Sequence, residues 1–415
     1  MRELWGRIIP TSGTRVYSAL VGVLILSITA RHLGPEGRGQ LATITTWVTM
    51  FATLGSLSLG QIAIHRAVGS APRAVPWLTE AFRVFAWMTC VVALVSWALA
   101  GLVHWQSTAF SGLSVTWLLL GFLAVPLMVW DQYGSALLMA REQLHISNRA
   151  QFFGRTVAAC LVAVLVGFAS WGVAGALLAT LLGQMVTSGW VLTRLATAAR
   201  PIGWPRRREI LDYVLDGLKL HLNAVGVFLI SGMDILMVNH YRGSTETGFY
   251  QLGVQLTSLM LIVPQAAAMV AYGRVTQLGP DNAWPQQRQL LMQTTMLIGM
   301  AALLAGSTAP FWLPLVAGAD FEPAIDLFRW QLLGLLGMTF SAVMAPQWIS
   351  RGYFWQASML TVAIGLTNFV ANLVLIPRHG MYGAVWASLG SSLLAIVANA
   401  RIAMLCESRA ARSST

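Results

Sequence analysis

The sequence predicts an all-α, polytopic membrane protein of about 12 transmembrane helices, arranged as two pseudo-repeated six-helix bundles around a central cleft. Three observations carry that expectation. The first is composition: 56% of the 415 residues are apolar and only 10% are charged, against roughly 25% charged in an average soluble domain. So few ionic side chains would not clothe a water-soluble surface, and the mean hydropathy is +0.66. The second is a succession of long apolar runs, and the third is an internal repeat. Soluble enzymes, nucleic-acid binders and secreted disulfide scaffolds are excluded together. The net charge of +11 belongs to loops facing anionic lipid rather than to a nucleic-acid partner.

Taken in order, twelve runs are long enough, or nearly so, to cross a hydrocarbon core of ~30 Å. They fall at about 14–31, 40–64, 82–104, 113–139, 155–170 and 173–194, then 218–239, 249–272, 290–313, 327–349, 355–376 and 381–405. In lipid the backbone must satisfy its own hydrogen bonds, and the runs far exceed barrel-strand length, so all are expected as helices. The first follows Arg2, Arg7 and Arg15 and runs into Arg31-His32 without an A-x-A site, so it is expected to be kept as a membrane helix. The fifth is the shortest. Pro126, Pro264, Pro310, Pro314 and Pro346 interrupt apolar runs and are expected to kink them. Trp105, Trp171, Trp204 and Trp355 read as interfacial anchors. Twelve spans use about 240 residues, which leaves no room for a soluble domain.

Lys and Arg set the orientation. With the N-terminus inside, 21 of the 26 fall on inner connections and five on outer ones: Arg31, Arg38, Arg242, Arg329 and Arg378. Both termini are therefore expected in the cytoplasm. The longest connection, 193–218, holds Arg206, Arg207 and Arg208 beside Pro201 and Pro205, and divides the chain into bundles at 1–200 and 201–415. Cys90, Cys160 and Cys406 are far apart in apolar runs, so neither a metal site nor a redox pair is expected.

The halves repeat. Arg31-His32-Leu33, leading to Gly39, matches Asn239-His240-Tyr241, leading to Gly248, at offsets of 208 to 209. Gly172-Val-Ala-Gly175-Ala176 matches Gly380-Met-Tyr-Gly383-Ala384 at 208, and Ala140-Arg141-Glu142 matches Ser350-Arg351-Gly352 at 210. Six spans per half make the repeat parallel, and two like bundles are expected to enclose a cleft. The G-x-x-G-A glycines are read as packing residues that let helices approach closely.

Three stretches carry a family resemblance. One is Thr29-Ala-Arg31-His-Leu33-Gly34-Pro35-Glu36-Gly37-Arg-Gly39 with Leu57-Ser-Leu-Gly60. Another is Met233-Asp234 with Thr247-Gly248-Phe249-Tyr250. The third runs from Asn368 through Asn372 and Pro377 to Gly380, Gly383 and Ala384. The chain resembles the polysaccharide transporter family of the multidrug/oligosaccharidyl-lipid/polysaccharide (MOP) flippase superfamily. The resemblance marks Arg31, Gly34, Gly39, Gly248, Tyr250, Pro377, Gly380 and Gly383 as family-motif positions. His32 stands where the family is usually apolar, and Arg38 replaces a common aromatic. The resemblance implies a flippase for polyprenyl-pyrophosphate-linked oligosaccharide in the bacterial cytoplasmic membrane, serving exopolysaccharide, capsule or O-antigen assembly. It implies membrane lipids, a glycan polymerase and glycosyltransferases as partners, and no cofactor.

Ionisable residues in lipid are costly and suggest function. Asp131 in the fourth run and Asp234 in the seventh are the deepest, while Arg83, Arg155 and Lys219 lie near inner helix ends. A pyrophosphate needs cationic partners to leave water, which makes these three candidate receivers; either aspartate would hold a compensating cation or orient an Arg. The bland alternatives are local pairs, Arg83 with Glu80 and Lys219 with Asp216, and an Arg155 that snorkels to headgroups. Asn368 and Asn372, one turn apart, suit sugar hydroxyls or interhelical hydrogen bonds. No G-x-x-x-x-G-K-[ST], D-x-D, H-E-x-x-H or G-x-S-x-G occurs, so pump, transferase and hydrolase chemistry lack their usual residues. Two competing readings remain: a multidrug/cation antiporter of the same superfamily, and a membrane glycan polymerase or ligase. Against the first, Val16–Ala30 holds no acid; against the second, the largest outer connection, Pro314–Asp326, is short.

Overall fold

The computed structural model describes residues 2–68, 75–106, 110, 112–200 and 203–413, and among them there are helices and no strands. Arg2, Arg7, Arg15, Arg73, Arg409 and Arg412, counted above as inner charges, have side chains outside the described residues, as does Pro201. The chain divides into two compact units, Met1–Val225 and Gly226–Thr415. The first holds α1 (Arg2–Gly55), α2 (Leu59–Val68), α3 (Val75–Gln106), α4 (Val115–Phe122), α5 (Ala124–Ala140), α6 (Leu144–Val162) and α7 (Gly172–Ala199). Helix α8 (Arg207–Ser231) carries the division within it. The second unit holds α9 (Met233–Arg242), α10 (Ser244–Met260), α11 (Ile262–Leu278), α12 (Trp284–Ala317), α13 (Ala324–Ser350), α14 (Phe354–His379) and α15 (Met381–Ser413).

Among the described residues, eleven helical stretches are long and apolar enough to cross a membrane. The first, Tyr17–Gly55, has 39 residues, roughly 58 Å at 1.5 Å per residue and too long for one ~30 Å crossing. It breaks at Gly34, where φ is 65° and ψ is −177°, a region essentially closed to residues with a Cβ. The chain reverses there. Arg38 Nη1 donates to Thr29 Oγ1 at 3.2 Å, although nine residues of continuous helix would separate them by roughly 13 Å. The predicted runs 14–31 and 40–64 are thus two crossings joined by one glycine, and about 12 spans result.

Two of the five prolines break their helices. Pro126 has no N–H for the Phe122 carbonyl, and α4 ends at Phe122; Pro264 has none for Met260, and α10 ends there. Pro310, Pro314 and Pro346 lie inside α12 and α13, which continue through them. The connection expected over 193–218 is shorter: α7 runs to Ala199, and α8 starts at Arg207. Glu209 makes that early start, because its Oε2 accepts the Arg206 backbone N–H at 2.9 Å in the manner of a capping box. The basic triplet therefore sits at a helix N-terminus and not in mid-linker.

The repeat is written in the backbone of each unit. Gly34 (φ 65°) and Gly243 (φ 83°, ψ 180°) share one conformation at an offset of 209. Glu142 and Gly352 have φ of 58° and 75° at 210, and Gly172 and Gly380 have 58° and 60° at 208. Unit 1 thus holds two more residues between the last two landmarks, and part of the excess is taken up by a π-helical turn, Ala163–Phe168. A Cβ on Gly175 would lie 3.3 Å from the Leu165 carbonyl oxygen and one on Gly383 only 2.3 Å from that of Leu375. Both glycines bring the last helix of their repeat onto the backbone before it.

Unit 1 packs an aromatic core in which Phe85 stacks on Tyr133 at 4.5 Å and meets Tyr213 edge-on at 5.6 Å. Leu57 and Ser58, both left-handed (φ 46° and 54°), break the helical path between α1 and α2. Tyr133 Oη donates at 2.9 Å to the Ser56 carbonyl, which also accepts the Leu59 N–H at 3.1 Å across the break.

Alanine at Gly34 or Gly243 is expected to destabilise the chain by about 1–3 kcal/mol through backbone strain alone, because nothing lies within 4 Å of either added Cβ. Gly22 and Gly101 have the same open space without positive φ, so alanine there should be neutral or stabilising. Thermal unfolding of the four variants in detergent separates the two classes.

Candidate functional site

Unit 2 contains a closed polar cluster built from four helices. Gly232 ends the first half of the seventh span, and Asp234 lies in the first turn of α9, where the exposed N–H groups favour a carboxylate. Asp234 is 3% exposed. Tyr250 Oη of α10 donates to its Oδ2 at 2.7 Å, and Ser388 Oγ of α15 donates to the same oxygen at 2.9 Å. Asn372 of α14 donates from Nδ2 to Asp234 Oδ1 and, at 2.9 Å, to Asn368 Oδ1. Asn368 Nδ2 in turn reaches Ser388 Oγ at 3.3 Å and Ser391 Oγ at 3.5 Å. Three neutral donors hold the carboxylate, and Asn372 Oδ1 is buried without a hydrogen-bond partner. Both asparagines are fully buried.

Unit 1 places its intramembrane acid beside a base. Gln184 of α7 and Arg155 of α6 face the Asp131 carboxylate closely enough to act on it. Asp131 Oδ1 is buried without a hydrogen bond. Gln184 Nε2 continues to Ser188 Oγ at 3.3 Å, and Ser188 Oγ to the Leu127 carbonyl at 2.8 Å. Arg155 is deeper than expected. The fifth span is Leu144–Phe168 rather than 155–170, so Arg155 stands roughly 16 Å along it from Leu144. Only 157–168 is uninterruptedly apolar, roughly 18 Å of a ~30 Å core. A hydropathy reading starts the span after its polar first half; the helix itself starts earlier because α6 packs on α7. Gly154 and Gly183 make that approach possible: a Cβ on either would meet the other's carbonyl oxygen at 2.6 Å.

The other two candidate cations are engaged. Arg83 Nη2 pairs with Glu209 Oε1 at 3.2 Å, a partner 126 residues away. Lys219 Nζ pairs with Asp216 Oδ1 at 2.9 Å, as the local alternative held. Arg66 joins them, 3.0 Å from Asp216, 3.7 Å from Glu80 and 4.0 Å over the Tyr213 ring. This network fastens α2 and α3 to the start of α8. It does not include Asp131 or Arg155.

The family-motif positions divide by role. Tyr250 belongs to the Asp234 cluster, a role its hydroxyl gives no sign of in sequence. Gly248 is buried on α10 beside it in sequence, and Gly34 makes the first reversal. Gly39 is buried on α1 and its carbonyl accepts Thr43 Oγ1 at 2.9 Å. Pro377 lies in the last turn of α14, and Gly380 follows that helix, where Glu246 Oε2 accepts the Met381 N–H at 2.9 Å. Gly383 is the packing residue already described. Arg31 is exposed. Glu246, Ser388, Ser391 and Gln184 were not singled out by sequence, since a neutral hydroxyl or amide in an apolar run is common in packing.

Replacing Asn372 with Leu removes one donor from a buried carboxylate and is expected to cost about 2 kcal/mol. The same change at Asn368 leaves all three Asp234 donors in place and should cost less. Unfolding of both variants in detergent measures the difference.

Residues 4–278 match the family described as Polysaccharide biosynthesis protein. A Haloferax volcanii protein described as a probable low-salt glycan biosynthesis flippase, Agl15, is 22% identical over 227 residues, covering 50% of this chain and 44% of that protein. This chain thus spans less than half the length of that relative. Protein 1 of the Lsg locus of Haemophilus influenzae is 26% identical over 386 residues, covering 89% of this chain and 92% of that one. Among solved structures, the lipid II flippase MurJ in an inward closed conformation superposes with a TM-score of 0.75 at 11% identity, covering 94% of this chain and 85% of its own. An inward-facing multidrug resistance transporter of the MATE family and MOP superfamily gives 0.71 at 16% identity, with 95% of each chain covered. At those identities the likeness is one of fold. The match over residues 4–278 goes further: this multi-pass membrane protein belongs to the polysaccharide biosynthesis protein family.

Proposed function

We propose that the chain translocates polyprenyl-pyrophosphate-linked oligosaccharide across the cytoplasmic membrane by alternating access, for exopolysaccharide, capsule or O-antigen assembly. The observation that carries this reading is Arg155, a guanidinium at membrane depth whose near counter-charge is Asp131. A helix with no business in polar chemistry would fill that position with an apolar residue. A diphosphate leaving water needs planar, multiply donating cations, and Arg meets that need. Asp131 neutralises Arg155 while no phosphate is present and yields it when one arrives. Arg83 and Lys219, with carboxylate partners of their own, serve chiefly to hold α3 and α8 in place.

Asp234 supplies the compensating charge in this reading. Its carboxylate and the unpartnered Oδ1 of Asn372 are oxygen donors that suit a proton or a small monovalent cation. Asn368 orients Asn372 rather than meeting sugar. The chain works in the cytoplasmic membrane with both termini inside, alongside glycosyltransferases and a glycan polymerase, as a transporter and not an enzyme. The named flippase among its relatives supports that choice over the antiporter and the polymerase.

In a deletion strain complemented with variants, Arg155→Gln and Asp234→Asn are expected to lower glycan export about tenfold or more, with lipid-linked intermediates gathering on the inner face. Arg83→Gln and Lys219→Gln should lower it far less. Normal export from both Arg155→Gln and Asp234→Asn, with insertion verified, would sink the reading. Intermediates left unpolymerised outside would favour a polymerase; drug sensitivity alone would favour an antiporter.

A further inference from the structure

Helix α12 has 34 residues, roughly 51 Å against a ~30 Å core, so its polar first turns stand at headgroup depth. There α11 and α12 enclose a pocket of about 230 Å³ lined by Arg274, Gln286, Gln287, Gln289 and Gln293, with Leu290 and the α11 residues Val270 and Ala271 completing the wall. Among the described residues, no acidic side chain lines it. Gln287, 2% exposed, is fixed: its Nε2 donates to the Val343 carbonyl at 2.8 Å and its Oε1 accepts from Gln347 at 2.6 Å. Arg274, Gln286, Gln289 and Gln293 are exposed. Positions 286, 289 and 293 share one face of α12, and the same face continues with Leu297, Met300 and Leu304, which are 50%, 63% and 66% exposed. On α11, Val270 and Val263 continue from Arg274 in the same way. One cation and several amides thus lie at the foot of a bare apolar track.

We propose that this pocket binds an anionic glycerophospholipid, with its phosphate on Arg274, its headgroup hydroxyls on the glutamine amides and an acyl chain along Leu297, Met300 and Leu304. The lining is cationic without an acid, which selects against zwitterionic and cationic headgroups. The volume of about 230 Å³ is ample for one phosphate with a small polyol. The site is independent of the transport reading and lies wholly in unit 2.

The test uses the purified full chain, stripped of lipid in detergent and titrated with phosphatidylglycerol or phosphatidylcholine, with bound lipid counted by native mass spectrometry. The chain is expected to prefer phosphatidylglycerol about tenfold. Arg274→Gln should remove that preference and Arg274→Lys keep most of it. Should Arg274→Gln fail to fold, the double variant Gln289→Leu, Gln293→Leu decides, since it should weaken phosphatidylglycerol binding while the thermal midpoint holds. Equal binding of the two lipids, or a preference untouched by these variants, overturns the proposal. So does displacement of phosphatidylglycerol by equimolar polyprenyl phosphate, which would give the pocket to the transported lipid.

Discussion

A peptide group or a carboxylate in hydrocarbon has no water to turn to, and a partner for each must come from the protein itself. This constraint places the irregular parts of the chain. Helices break at Gly34, at Leu57–Ser58, before Pro126 and Pro264 and at Gly232, and polar side chains gather at two of these breaks. Tyr133 gives the Ser56 carbonyl a second donor beside the Leu59 N–H. The break at Gly232 turns the start of α9 into a place where Asp234 is welcome, and three neighbouring helices then supply donors to it. The same need for partners explains why exposed cations such as Lys219 pair within a turn, whereas Arg83 reaches across to another helix.

The two intramembrane acids solve the problem differently. Asp234 is surrounded by hydroxyls and amides, a cage that accepts negative charge or a proton without a fixed countercharge. Asp131 has an amide and a guanidinium nearby, and keeps one oxygen without a hydrogen bond. A pair of that kind, with Asp131 half-buried, Arg155 exposed and one carboxylate oxygen unbonded, is poorly optimised for stability alone. The cage is complete on the carboxylate and incomplete on Asn372; the pair is incomplete on the carboxylate. In both, the unused capacity is an oxygen.

How far the sequence could reach follows from which signals are local. The crossings were legible because apolar runs report their own burial in lipid. Asp131 and Asp234 stood out as ionisable residues in those runs, and the shared offsets exposed the repeat. The depth of Arg155 did not, because a hydropathy window skips the polar half of α6 while α6–α7 packing extends the helix through it. Arg83 offered an acid at i−3, and it pairs with another 126 residues away. Tyr250 and Ser388 were hidden for a different reason: a hydroxyl in an apolar run carries no charge to mark it, and only the fold brings it to Asp234. The division at Val225, inside α8, also depends on contacts rather than composition.

The repeat supplies a control that separates fold from function. Carried back by 208 or 209 residues, Asp234 falls on Leu26 or Ile25 and Tyr250 on Ala42 or Leu41. Over the full range of offsets, Asn372 falls within 162–164 and Asn368 within 158–160, all apolar positions, and of the cluster only Ser388 meets a hydroxyl, at Thr180. Carried forward, Arg155 falls within 363–365, Ala-Ile-Gly, and Asp131 within 339–341, Thr-Phe-Ser. Each unit therefore builds the same landmarks, Gly34 and Gly243 or Gly175 and Gly383, without the other's charges. If the charges were there to hold helices together, the uncharged counterpart would lack the fold, and it does not. Apolar packing suffices for the architecture, so the cost of a carboxylate in one unit and of an acid–base pair in the other is one that selection for folding does not explain.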